Sequence, residues 1–162
     1  MSLAATVPVP LSPRYQPADL LVPPNINELE LQWRKRNATL FEISLLGDGL
    51  DLRIYTPCAP VGDGCALVPD EPTWQLMTQV TRGKSVKWTV RGSAPEGGGV
   101  GSSASFKLSF SEDDMKGGLY YWGASRGGIF RYDFGRRSQK AEAYYTPGAQ
   151  AGLVTCVGCH AL

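Results

Sequence analysis

Glycine and proline break this chain at such short intervals that no segment longer than about ten residues shows a helical apolar period free of both. The 162 residues hold 19 Gly and 12 Pro. Long helices have no room in such a chain. Short strands joined by turns are what remains. The apolar share of 43%, with four Trp, can supply a core for them, which excludes disorder throughout.

The strand pattern is read directly from the alternation. Residues 28–33 place Leu29, Leu31 and Trp33 on one face. Arg34-Lys35-Arg36-Asn37 is a polar turn, and its basic triplet is read as a solvated loop. Phe41, Ile43 and Leu45 share a face in residues 40–46, and Gly47-Asp48-Gly49 turns the chain into a returning strand, residues 50–55. Residues 74–80 are apolar at Trp74, Leu76 and Val80 and are read as another strand. Residues 85–91 alternate most cleanly, with Val86, Trp88 and Val90 against Lys87, Thr89 and Arg91. A Gly/Ser-rich loop follows, and then Phe106, Leu108 and Phe110 alternate again. Roughly six or seven strands with turns every 8–12 residues predict an all-β fold, an antiparallel β-sandwich with Trp33 and Trp88 pointing into its core.

Three segments follow from the texture. Residues 1–24 carry six prolines and no period, and read as an extended lead-in without the features of a signal peptide. Residues 25–114 form the sandwich. Residues 115–162 form an appended aromatic hairpin, GGLYYWG and IFRYDFG, and an irregular tail. The opening Met1-Ser2-Leu3 looks vector-derived. The stop two residues after the tail's most distinctive motif reads as a piece of a longer protein.

Sixteen Lys+Arg against 15 Asp+Glu give a net charge of +1, which argues against a nucleic-acid partner. No apolar run approaches the roughly 20 residues of a membrane span.

The tail motif is Cys156-Val157-Gly158-Cys159-His160, CxxCH, containing the chain's one histidine. The spacing suits c-type haem: two thiols add across the vinyl groups, and the adjacent imidazole becomes the proximal iron ligand. A redox pair, half of a zinc site and a coincidental pentapeptide stay open beside it. Zinc would need further donors, and Cys58 and Cys65 are the remaining soft ones. Those two flank a turn-rich hexapeptide and are a disulfide candidate.

Other matches are weaker. Gly123-Ala124-Ser125-Arg126-Gly127 fits GxSxG, with Asp133 and His160 following in hydrolase order, but a nucleophile elbow needs a strand running into a helix. Gly83-Lys84-Ser85 lacks the earlier glycine of a phosphate loop. Asn37-Ala38-Thr39 is a glycosylation sequon of low specificity. Tyr120, Tyr121 and Trp122 could stack sugars or bases, or pack the hairpin against a partner domain. No catalytic constellation can be assembled, and a non-catalytic chain is the expectation.

Trp33, Trp74-x-Leu76, Gly83 and Val86-x-Trp88-x-Val90-Arg91 resemble a fibronectin type III or immunoglobulin-like module, over about half the chain. The tail, from Gly117-Gly118-Leu119-Tyr120-Tyr121-Trp122 to the CxxCH, is similar to the junction in large secreted bacterial proteins where such a module precedes a TolB- or WD40-like β-propeller. No propeller repeat is read within these 162 residues, a departure from that pattern as far as the sequence runs. The resemblance implies a spacer or binding module of an extracytoplasmic protein, periplasmic, surface-exposed or secreted. Its haem c residues would be Cys156, Cys159 and His160, in an electron-transfer role. Its partner would be another protein or a following propeller domain. A purely structural or protein-interaction module, with the CxxCH free of haem, is the alternative.

Overall fold

The structure, a computed structural model, describes residues 19–95, 99–137 and 139–146. Among them the fold is all-β and sandwich-like, with one short α-helix. The chain divides into two compact units. One comprises residues 1–24 and 28–114, the other residues 25–27 and 115–162.

The first unit is built on a six-stranded sheet. Its strands are β1 (Asp19–Val22), β3 (Leu40–Gly47), β4 (Leu50–Pro57), β7 (Ser85–Ser93), β8 (Val100–Ser102) and β9 (Phe106–Phe110). Their order is β1-β9-β7-β3-β4, with β8 also beside β7. All pairs are antiparallel except β1 with β9, which is parallel. A three-stranded sheet of β2 (Leu31–Arg34), β6 (Gly64–Leu67) and β5 (Ala59–Val61) completes the unit.

The period-2 pattern decides which side chains are buried. Phe41, Ile43 and Leu45 of β3, Val86, Trp88 and Val90 of β7, and Leu108 and Phe110 of β9 all lie on the core face. Leu31 and Trp33 of β2 meet them from the small sheet, with the Trp33 and Phe41 rings in contact. Gly92 on β7 leaves room for this packing, since a Cβ there would stand 2.8 Å from that of Ala38 and 3.0 Å from the Phe41 ring. The β3–β4 turn closes on Gly49 at φ 81°, which glycine adopts without steric cost.

Residues 71–80 correct the strand reading of Trp74–Val80: they form α1 (Glu71–Val80). The Asp70 carboxylate caps the helix by accepting from the Thr73 N–H at 2.8 Å. Pro72 sits in the first turn, where its missing N–H is not needed. The buried residues are Trp74, Met77 and Thr78, spaced i, i+3 and i+4, whereas Leu76 is 57% exposed. Trp74 packs on Phe110 of the large sheet, ring centroids 6.0 Å apart. The segment read from sequence as an extended lead-in contributes β1, whose Val22 is buried.

The second unit is a three-stranded antiparallel sheet, β10 (Gly118–Gly123), β11 (Gly128–Asp133) and β12 (Glu142–Tyr145). Residues 25–27, grouped with the sandwich by sequence, lie in this unit. Asn25 exchanges two hydrogen bonds with the Met115 backbone, at 2.8 and 2.9 Å. Asn27 donates to the Asp133 carbonyl at 2.9 Å and accepts from the Arg136 N–H at 3.0 Å. Two asparagines thus hold both ends of the hairpin.

Candidate functional site

Cys58 and Cys65 are joined in a disulfide, with their Cα atoms 5.1 Å apart. Cys58 directly follows β4 of the large sheet, and Cys65 lies on β6 of the small one, fully buried beside Trp33. The bridge therefore fastens the two sheets of the sandwich near its tryptophan. Both sulfurs are committed to this bond, so neither is a thiolate available to a metal.

A shallow cavity of about 160 Å³ opens on the outer face of the large sheet. Two cross-strand rows contribute to its lining, through Arg91, Glu42 and Tyr55 of one and Val100, Ser93 and Leu40 of the next. One runs Ser102, Arg91, Glu42, Tyr55 across β8, β7, β3 and β4. The next runs Val100, Ser93, Leu40, Pro57. Glu42, with only 14% of its side chain exposed, is the polar centre. Its carboxyl is held below the usual glutamate range, chiefly by the hydrogen bond from Tyr55, with Ser44 and Arg91 adding to it against the cost of burial. Ser44 donates at 3.1 Å and Arg91 at 3.4 Å. The same bond raises Tyr55 above the ordinary phenol value. The polar groups here satisfy one another, while Leu40, Tyr55 and Val100 stay more than two-fifths exposed. Sequence gave no warning of this cluster, because it exists only once the strand register is known.

The second unit carries the other concentration of exposed aromatic surface. Tyr120 and Tyr144 meet edge to face at 4.8 Å, and the Arg131 guanidinium lies 5.6 Å over the Tyr120 ring. Arg131 is fixed by two hydrogen bonds to one Asp133 oxygen, 3.0 and 2.5 Å. Tyr120, Tyr121, Tyr144 and Tyr145 are all exposed.

Cys156, Cys159 and His160 lie outside the described residues. The serine of GxSxG, Ser125, sits in a short 3-10 turn (Ala124–Arg126) between two antiparallel strands, which is not the strand-to-helix setting of an elbow. Asp133, its supposed partner, is engaged by Arg131 and Arg136. Among the described residues no group of three or more His, Cys, Asp or Glu is placed to hold a metal ion. No helix among them is long and apolar enough to cross a membrane.

No family model, curated protein or solved structure matches the chain.

Proposed function

We propose that this chain is a non-catalytic, extracytoplasmic β-sandwich module whose tail attaches haem c through Cys156, Cys159 and His160 and serves electron transfer. The observation that carries the reading is the Cys58–Cys65 disulfide. A disulfide of this kind belongs to an oxidising compartment, and c-type haem is attached outside the cytoplasm. With that pair closed, the two remaining cysteines are those of the CxxCH. The donor set fits the group: two thiols for the vinyl carbons and an imidazole for the iron. Bound haem would supply one-electron chemistry at its iron. The sandwich would act as spacer or binding unit, and its two facing sheets support the fibronectin type III or immunoglobulin-like likeness. Helix α1 and the parallel β1–β9 pair are departures from that pattern.

The alternative is a purely structural or protein-interaction module without haem. The exposed tyrosines of the second unit favour it. Expression in a bacterial periplasm with the haem-attachment machinery decides between the two. The first reading expects a pyridine-haemochrome spectrum and a mass increase of one haem, both lost in Cys156→Ala/Cys159→Ala. Absence of both signals from the unaltered chain overturns it and leaves the interaction module.

A further inference from the structure

We infer that the outer edge of β4 pairs antiparallel with β4 of a second copy of this chain, about a two-fold axis at Leu52.

Strand β4 is eight residues long and ends the large sheet, and among the described residues no strand pairs with its outer side. The register fixes which main-chain groups face outward. Gly47 pairs with Leu50 across a two-residue turn, so Leu50, Leu52, Ile54 and Thr56 direct their N–H and C=O groups to β3. On the far side of β3, Val90, which pairs with Ile43, bonds outward to Ser103 through both its N–H and its C=O, which agrees with the same alternation. The N–H and C=O groups of Asp51, Arg53 and Tyr55 therefore point to the open edge. Pro57 closes that run, having no N–H to give.

A two-fold at Leu52 sets Asp51 opposite Arg53 of the second copy, and Arg53 opposite its Asp51. Both are outward-facing positions, so this register forms complete hydrogen-bonded pairs and matches opposite charges twice. On the core face, Leu50 meets Ile54 of the other copy twice and Leu52 meets Leu52. These three side chains are each partly exposed within one copy. Their partial exposure at the sheet edge is the apolar surface that the pairing removes from water.

The competing registers are poorer. A two-fold at Arg53 sets Arg53 against Arg53, a repulsive cross-strand pair. A two-fold at Ile54 sets Asp51 against Pro57, which cannot donate. Within one copy Arg53 and Asp51 hold an exposed ion pair at 3.1 Å, both side chains more than half exposed. Such a pair is worth little in water and is free to re-form across the new edge.

Sedimentation velocity on the full chain over a wide concentration range reads the association, and a dimer with a concentration-dependent population is expected. Arg53→Asp sets like charges opposite each other and should weaken the dimer about tenfold or more, while Asp51→Arg/Arg53→Asp restores it. A cysteine probe reads the register. In a Cys156→Ser/Cys159→Ser background, Leu52→Cys should oxidise to a disulfide-linked dimer, because directly opposed non-hydrogen-bonded residues lie about 4.5 Å apart, within disulfide range. Arg53→Cys, which faces Asp51 and not itself, should not. A chain monomeric at every concentration, a dimer indifferent to Arg53→Asp, or cross-linking at 53 as efficient as at 52 overturns the proposal. In the first outcome the Asp51 and Arg53 charges act to keep the edge unpaired.

Discussion

The indole ring of Trp33 on β2 stands edge-on to the Phe41 ring on β3, with centroids 5.3 Å apart and planes at 63°. This contact carries the small sheet onto the large one, and both side chains are essentially solvent-free. Truncating either to Ala removes a large apolar volume that the paired sheets cannot fill by collapse. Trp33→Ala should cost about 3–5 kcal/mol in a urea unfolding experiment. Trp33→Phe should cost much less, about 1–2 kcal/mol, because the buried Nε1 donates to no group among the described residues and no hydrogen bond is lost with it. Equal losses for the two variants would show that the indole nitrogen has a partner.

The helix depends on a cap rather than on propensity. Asp70→Ala removes the acceptor for the Thr73 N–H and should cost about 1 kcal/mol, with the helical signal at 222 nm reduced and the strand core retained. A loss of several kcal/mol would mean that α1 is essential to the core beyond the contacts of Trp74 and Met77.

This helix also shows where sequence reading stops. The alternation of Phe41, Ile43 and Leu45, and of Val86, Trp88 and Val90, was readable because each strand buries one face only. Trp74, Leu76 and Val80 match a strand period by accident. Trp74, Met77 and Thr78 match a helical one, and Pro69-Asp70-Glu71-Pro72 spells the start signal ahead of it. Short amphipathic segments satisfy both periods, and the cap was the discriminating evidence. Strand β1 was hidden for a different reason: its pairing with β9 lies in residues about 88 positions away, and no local pattern records a partner so distant. The Arg91–Glu42–Tyr55 row was invisible for the same cause. The side chains of Asn25 and Asn27 bond across 90 to 109 positions, so their place in the second unit could not be read locally either.

Reduction of the Cys58–Cys65 bond should lower stability by about 2.5 kcal/mol by the chain-entropy estimate for so short a loop. Cys58→Ser/Cys65→Ser should show the same loss without reductant. Dithiothreitol should then have no further effect on the double variant. A further shift with dithiothreitol would reveal a second disulfide.

The electrostatic coupling of Glu42 to Tyr55 gives the sandwich a stability that depends on pH at both ends of the scale. Glu42 is lowered from its ordinary value of 4.5, first by the hydrogen bond from Tyr55. A carboxyl lowered in the fold contributes stability that is complete above 4.5 and is lost as pH falls through the folded value. Tyr55 is raised from 10.0, first by its hydrogen bond to Glu42. A phenol raised in the fold contributes stability that is complete below 10.0 and is lost as pH rises through the folded value. The two groups share one interaction, so a single substitution should flatten both limbs. The urea midpoint of the unaltered chain should exceed that of Tyr55→Phe by its greatest margin near neutrality, and the margin should shrink at both acid and alkaline extremes. Tyr55 is 65% exposed, so the substitution leaves the core intact and any change in the margin is electrostatic. A margin constant from acid to alkali would show that Tyr55 stabilises the sheet through ring packing on its neighbours and not through the carboxylate.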